Sequence, residues 1–320
     1  MAVASRNTSQ ALTATHYNEI RNLAVSILGT GSGNYGYGQP TVSSTRAAGT
    51  NLVSAIDMQN LRTDIMRSWV HQTGSNTGLE VPVAGTDTIR AGSTTTMGAI
   101  MDPEYDKTHN AYIEAVNQIE SNRLVAHPGQ MTLLPATATK SNSNWGQGTV
   151  TGGSHTMTIS HTVTFSSENH RRWFFNAGGQ IRIYAWHTHS GTFTAKDEDW
   201  LQFLSNKVNN QNYITHTEFS ALSGTSYSTF HQVNAGDHNS AYSDNYWNVQ
   251  VRLNGSNLDI QQNYVDADVG WVNRFWVAAY DEPVTGTTSS NLGIYYPTGS
   301  TTDAIVGSTP TVQLAPPTIA

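Results

Sequence analysis

The chain has 320 residues, no cysteine, a formal net charge of −7 and only 12% charged residues. This length can bury a core without disulfides, and the absence of a basic stripe argues against a nucleic-acid partner. No apolar run approaches the roughly 20 residues that cross a bilayer, and residues 1–20 lack the apolar segment of a signal peptide. We therefore expect no membrane insertion and no export by the usual route.

Three amphipathic helices are predicted in the first part of the chain. Apolar side chains at three-four spacing mark helices over residues 17–28, 57–71 and 102–119. Thr15 is expected to cap the first helix and Asp102 the third, while Gly29 and Gly74 are expected to end the first and the second. We assign residues 1–130 to a helical docking and oligomerisation region.

From Trp145 onward the periodicity changes to two, which indicates strands. Strands are predicted over residues 157–165, 181–189, 246–253, 258–264 and 271–280, with short ones at 294–296 and 304–306. Asn254 and Gly255 predict a tight hairpin turn. The expected fold class is α+β, with an N-terminal helical region followed by a mostly antiparallel β-sandwich-like domain over residues 131–320.

The stretch 169–200 carries the clearest β-signal. Its two aromatic and β-branched runs flank residues 176–179, Asn-Ala-Gly-Gly, which we interpret as the connection of a hairpin. Alternation along the second run puts His187 and His189 on one face. Residues 196–199, Lys-Asp-Glu-Asp, are predicted to open a short helix that Asp197 caps.

His187 and His189 are the candidate metal ligands. In a homotrimer, three such pairs meeting on the axis would offer six imidazoles, an octahedral site suited to a first-row transition metal such as iron or zinc. The alternative is that both rings lie near the strand end and hydrogen-bond to backbone or water. His155 and His161, on another predicted strand, are expected to serve packing.

Other candidate sites are less specific. The aromatic side chains proposed to hold a glycan or form an interface are Trp186, Trp200, Trp247 and Trp271. Asp197 and Asp199 could act as paired glycosidase carboxylates, although acids at a helix N-terminus are the simpler interpretation. Asp237, Asp266 and Asp268 could bind Ca²⁺. Because no hydrolase, metalloprotease or nucleotide-binding motif is present, we predict no catalytic residues.

Four segments, taken together, carry a resemblance to a known group of proteins. They are YNEIRNLAVSILGTGSGNYGYGQ (17–39), MQNLRTDIMRSWVHQTG (58–74), SNRLVAHP (121–128) and RRWFFNAGGQIRI (171–183). In this order, and with the acidic segment that ends at Trp200, they resemble tail, neck and fibre structural proteins of contractile-tailed phages, especially those of marine cyanobacteria. The last forty residues match nothing in that pattern.

The resemblance implies a non-enzymatic virion structural protein, tail-associated as a neck, baseplate or fibre component. It implies assembly in the host cytoplasm as a symmetric homo-oligomer, with other tail, neck or capsid proteins as further partners. Two alternatives stay open, a tail-fibre module that binds glycans of the host surface and a capsid decoration protein. A depolymerase that uses Asp197 and Asp199 is the enzymatic alternative.

Overall fold

The fold is α+β, with N-terminal helices followed by two antiparallel sheets in a sandwich-like arrangement. The computed structural model describes residues 3, 13–30, 36–47, 53–79, 81, 109–134, 140–146, 155–208, 212–236, 242–267, 283–297, 311–314 and 318–319. The predicted Asp102 cap and the predicted strands at 271–280 and 304–306 lie outside these residues. None of the described helices combines the length and apolar character needed to cross a membrane.

The chain divides into two compact units. The first contains Met1–Thr132, Arg172–Gly179 and Tyr296–Ser308, and the second contains Leu133–Arg171, Gln180–Tyr295 and Thr309–Ala320. The sequence predicts a single division after residue 130, whereas the first unit also includes two segments from later in the chain.

The first unit is built on three helices, α1 (Ala14–Leu28), α2 (Ala55–Thr73) and α3 (His109–Ser121). The cap of α1 is Thr13, two residues before the predicted Thr15, because the Thr13 side chain accepts the His16 N–H. Gly29 and Gly74 end α1 and α2 as predicted, and Gly74 has a φ of 82°. The predicted apolar faces form the core, with buried side chains at Tyr17, Ile20, Leu61, Ile65, Tyr112, Val116 and Ile119.

The hairpin predicted around residues 176–179 is wrong, because the first aromatic run forms helix α4 (Glu168–Asn176). The two glycines end this helix: the Gly179 N–H donates to the Phe174 carbonyl at 2.8 Å and the Gly178 N–H to the Phe175 carbonyl at 3.0 Å. This paired hydrogen-bond pattern is the Schellman motif, and Gly178 supplies the left-handed residue with a φ of 84°.

In its described residues, the second unit carries two sheets, two short α-helices and a π-helical turn at Leu204–Val208. The strands are β1 (Met131–Leu133), β2 (Lys140–Trp145), β3 (His155–Thr164), β4 (Gln180–Thr188), β5 (Tyr213–Ile214), β6 (Ser228–Asn234), β7 (Tyr246–Asn254), β8 (Asn257–Asp266), β9 (Val284–Pro297), β10 (Thr311–Leu314) and β11 (Thr318–Ile319). The helices are α5 (Ala195–Phe203) and α6 (His216–Ala221).

The order of strands in the first sheet is β1-β9-β4-β5, with β2 also paired to β9. The order in the second is β10-β3-β8-β7-β6, with β11 also paired to β3. The predicted hairpin between β7 and β8 is confirmed, with Asn254 opposite Asn257 and Gly255 at a φ of 56° in the turn. Alternation in β3 is also confirmed, since its odd-numbered residues from Met157 to Val163 are buried.

The two sheets of the second unit pack face to face through polar as well as apolar side chains. His161 of β3 lies 2.6 Å from the hydroxyl of Ser290 on β9, and the amide of Gln262 on β8 donates to the same hydroxyl. The expectation that His161 lies on the inward side of its strand is confirmed, with 1% of the residue exposed.

Candidate functional site

A buried polar cluster lies where α5 meets β4, β8 and β9 in the second unit. We call it the sandwich cluster, and its members are His187, Lys196, Asp197, Asp266 and Thr288. Each is at most 4% exposed. Buried ionisable groups are costly unless they are paired, so their partners decide what the cluster can do.

The capping box of α5 holds Asp197. Thr194 is the N-cap in place of the predicted Asp197, and the two residues exchange hydrogen bonds of 3.1 Å and 3.0 Å between backbone and side chain. The same carboxylate accepts the Gly286 N–H at 2.8 Å and the Thr285 hydroxyl. Burial by itself would raise the pKa of Asp197, but these hydrogen bonds outweigh it and hold the pKa below its ordinary value.

His187 joins Asp197 to Thr288. Its Nε2 lies 3.2 Å from Asp197 Oδ1, and its Nδ1 lies 2.9 Å from the Thr288 hydroxyl. Burial lowers the pKa of His187, and the nearby carboxylate offsets this effect only in part. A carboxylate can only accept, so the neutral ring carries its proton on Nε2 and accepts the hydroxyl proton at Nδ1. The Trp145 N–H donates to that hydroxyl oxygen at 3.0 Å.

Threonine, histidine and aspartate here follow the order of a nucleophile, a base and an orienting acid. A substrate cannot reach these three residues, because Thr288 and Asp197 are 0% exposed. Gly286 approaches His187 so closely that a Cβ at that position would collide with Nε2. The arrangement therefore holds β9 against β4 and α5 by hydrogen bonds that are already complete.

Lys196 and Asp266 form the other half of the sandwich cluster. The Lys196 Nζ lies 2.7 Å from Asp266 Oδ2, with the two side chains 1% and 0% exposed. Asp266 ends strand β8, and its ammonium partner does not fit the predicted calcium site. The other two calcium candidates, Asp237 and Asp268, lie outside the described residues.

Three aromatic rings pack together near this ion pair. The ring centroids of Trp145 and Trp200 are 5.1 Å apart, and Tyr264 lies 6.3 Å from the first and 6.2 Å from the second. Such tilted and edge-on pairs stabilise a core beyond the area that they bury. This contact explains why the acidic start of α5 faces inward: Trp200 anchors the helix in the core.

The predicted aromatic ligand residues lie in different environments. Trp200 and Trp247 are 0% exposed, so a glycan platform or interface role fits neither of them. Trp186 is half-buried on β4, and Trp271 lies outside the described residues. Trp200 lies on the buried face of helix α5 and Trp247 on the buried side of β7, and aromatic content alone does not separate such core residues from surface ones.

The two predicted metal ligands do lie near each other, with ring centroids 6.3 Å apart. Both nitrogens of His187 already have partners within the chain, which does not fit a metal ligand. His189 follows the end of β4, and its Nε2 lies 3.1 Å from Glu198. The described residues contain no group of three or more His, Cys, Asp or Glu side chains that could hold a metal ion. An iron or zinc shared at a trimer axis stays a prediction, which now depends on His189.

An open cavity of about 320 Å³ lies on the outer side of this region. Most of its lining residues carry a hydroxyl group. They are Thr188, Ser190, Thr192, Thr285 and Thr287, together with His189 and Gly286. The ring of Phe193 lies 4.0 Å from that of His189 and is 48% exposed. Hydroxyl groups beside an exposed aromatic ring can hold a small polar ligand.

Sequence reasoning missed the pairing of Lys196 with Asp266 and the role of Thr288. The two ionised residues are 70 positions apart, and no local pattern predicts such a contact. One signal was available, because Lys196 precedes Trp200 by one turn and so shares the buried face of a short helix.

Comparisons of the chain with protein-family models, with curated proteins and with solved structures found no match in any of the three.

Proposed function

We propose that this chain is a non-enzymatic structural protein of a contractile-tailed phage particle, in its neck, baseplate or fibre, where copies associate as a symmetric homo-oligomer. The four segments of the sequence resemblance motivate the proposal. In this proposal, the residue types that are typical of catalytic sites instead hold the chain's own helices and strands together.

The observation that carries the proposal is the meeting of those four segments in the first unit. His71, from the second segment, contacts each of the other three. Its Nε2 lies 2.8 Å from the Ala177 carbonyl, its own carbonyl accepts the His127 N–H at 2.9 Å, and its ring lies 5.1 Å from that of Tyr37. Segments far apart in sequence thus form one contact network, as expected of a shared structural module.

Burial supports a scaffold role for this network. His71 is 1% exposed and Tyr37 is 0% exposed. Gln72 extends the network, since its amide donates to the Tyr37 hydroxyl at 2.9 Å and to the Ile119 carbonyl at 2.8 Å. Apart from His71 Nδ1, which has no partner among the described residues, these polar groups are hydrogen-bonded within the first unit. They therefore fix its helices in place.

The proposal is tested on purified phage particles from the host in which the gene is expressed. Antibodies raised against the recombinant chain are used for immunoblots across a density gradient and for immunogold labelling of intact particles. We expect the chain in the particle fractions and label on the tail or neck. A chain found only in the soluble fraction would refute a virion role, and label over the capsid would identify a decoration protein.

The homo-oligomer is tested separately, by light scattering on the purified recombinant chain with metal analysis of the same sample. We expect a mass of at least twice 34.8 kDa, at a small whole multiple of that value. A monomer at every concentration would show that the copies associate only on the particle, or not with each other. Iron or zinc at about one ion per three chains would support the predicted site at His189.

Glycan binding is the second candidate function, and the open cavity favours it. A volume of about 320 Å³ accommodates a small polar ligand, and the half-exposed Phe193 offers a flat apolar face against which a sugar ring can stack. Binding to a glycan array that is lost in Phe193→Ala would support this candidate. Leu133→Ala is the control, because Leu133 is similarly exposed, at 51%, whereas the Phe193 ring lies against His189 of the cavity wall. Equal array profiles for wild type and Phe193→Ala would count against the cavity.

A further inference from the structure

The contact between Lys196 and Asp266 is short and fully buried. Nζ and Oδ2 are 2.7 Å apart, and both side chains are at most 1% exposed. Gly146 makes room for the carboxylate, since a Cβ at that position would lie 2.7 Å from Oδ2. The amine and the carboxyl carbon are therefore held side by side.

Aromatic rings of α5, of β8 and of the segment before β7 lie around the pair. Lys196 and Trp200 lie one turn apart on α5, so their side chains share a face of the helix. Tyr264 and Asp266 lie two residues apart on β8, so their side chains share a face of the strand. The Tyr242 ring centroid lies 5.8 Å from Nζ. Water, which would stabilise both charges, is largely excluded.

Attack on the carboxyl carbon requires the amine without its extra proton, and the 2.7 Å contact lets that proton pass from Nζ to Oδ2 within the pair. In the neutral pair, the nitrogen lone pair lies within reach of the carboxyl carbon. Two reactants fixed in this way behave as if their effective concentration reached about 10⁵–10⁸ M. The same geometry that makes a good ion pair therefore places a nucleophile against an electrophile.

We propose that Lys196 and Asp266 condense to an intramolecular isopeptide bond. The Nζ–Cγ bond forms, a C–O bond of the carboxyl group breaks, and one water molecule leaves. One Nζ proton passes to the departing oxygen, and no oxidant, reductant or cofactor is consumed. The product is a neutral amide that joins helix α5 to the end of β8 covalently.

Asp199 is placed to carry the proton in this condensation. It is 4% exposed and follows Lys196 by three residues on α5, which puts both side chains on one helix face. A buried carboxyl group on the helix face that carries the reacting amine can take up a proton from the nitrogen and return it to the leaving oxygen. Asp197, the other buried acid of this helix, is turned to His187 and Gly286 instead.

The test is the intact mass of the full-length purified chain, measured after denaturation. We expect a mass lower by one water molecule than the sequence requires, and a branched peptide that joins Lys196 to Asp266 after digestion. Lys196→Arg keeps the positive charge but removes the nucleophilic amine, so its mass should equal its sequence mass. Lys207→Arg is the matched control, since Lys207 Nζ donates to the Ala235 carbonyl, and it should keep the deficit.

Three results would overturn the bond itself: a wild-type chain at full sequence mass, a deficit that persists in Lys196→Arg, or a branched peptide that excludes Asp266. The wild-type measurement decides the matter even where a variant fails to fold. Asp199→Asn should lower the bonded fraction severalfold at a fixed time after synthesis. An unchanged fraction in Asp199→Asn would remove Asp199 from the mechanism and leave the bond in place. None of these outcomes depends on whether the chain belongs to a virion.

Discussion

His71 shows how its surroundings set the charge of one side chain. It is buried against the Tyr37 ring, and its Nε2–H donates to the Ala177 carbonyl. Its Nδ1 has no partner among the described residues. Burial lowers the pKa of His71 to about 4, and the hydrogen bond to Ala177 offsets this only in part. The folded chain therefore keeps this ring neutral between about pH 4 and about pH 6.5, where a free histidine is charged.

A pH-dependent loss of stability follows from this shift. Between the ordinary histidine pKa of about 6.5 and the folded value of about 4, the unfolded chain binds a proton that the folded chain does not. The contribution of His71 is therefore complete above about pH 6.5 and falls with the pH, by about 3 kcal/mol in all. Urea unfolding of wild type at successive pH values measures the slope.

His71→Gln isolates this contribution from the other titrating groups. The glutamine amide can still donate to the Ala177 carbonyl, but it cannot titrate. The unfolding free energy of the variant should fall less steeply than that of wild type as the pH is lowered from about 6.5 to about 4. Parallel curves for the two proteins would contradict the assignment of the slope to His71.

At this scale the sequence predicted orientations better than partners. Alternation along β4 and β3 correctly turned His187 and His161 inward. Their partners, Asp197 and Ser290, lie on a helix and on another strand. Alternation within one strand does not predict which residues of other elements it contacts. Burial of the histidines was therefore predictable, whereas the hydrogen bonds that make them structural were not.

At the scale of elements, a glycine in the sequence can indicate either a hairpin turn or the end of a helix. Asn-Ala-Gly-Gly at 176–179 fits a hairpin connection, but the same residues fit the end of a helix. The structure follows the second, because residues 168–176 bury Phe174 and Phe175 in a helix. Gly255 fits a hairpin and forms one, because the runs on both sides of it alternate as strands do. The hydrophobic periodicity of the flanking residues, and not the glycine itself, decides between a hairpin turn and a helix end.

Gly178→Ala tests the end of α4. The residue has a φ of 84°, and an added Cβ would lie 3.0 Å from the Ala126 Cβ and 3.2 Å from the Leu124 carbonyl. Left-handed strain and this crowding together should lower the unfolding free energy by about 2 kcal/mol. Gly224→Ala is the control, with a φ of 79° and open space around the site, and it should show only the strain, about 1 kcal/mol. Equal losses in the two variants would show that crowding at Gly178 is relieved.

At the scale of the molecule, the second unit keeps its two sheets together with polar contacts inside an apolar sandwich. Gln262 accepts the N–H of Trp247 at 3.2 Å and the hydroxyl of Tyr264 at 3.1 Å, and its amide donates across to Ser290. Such a network costs little when every group is satisfied and favours one packing of the sheets over others. A sandwich held together by apolar contacts alone would not favour one packing of its sheets in this way.

Ser290→Ala tests the contact between the sheets. Ser290 is 0% exposed, and its hydroxyl links Gln262 and His161 of one sheet to β9 of the other. Removing it leaves buried polar groups without a partner, so we expect a loss of about 2 kcal/mol in the free energy of unfolding, measured by urea denaturation. Ser228→Ala, the same substitution at an exposed position of β6, should change it by less than about 0.5 kcal/mol. A loss at Ser290 no larger than that at Ser228 would mean that apolar packing alone sets how the sheets meet, and the polar contacts would then be incidental to the fold.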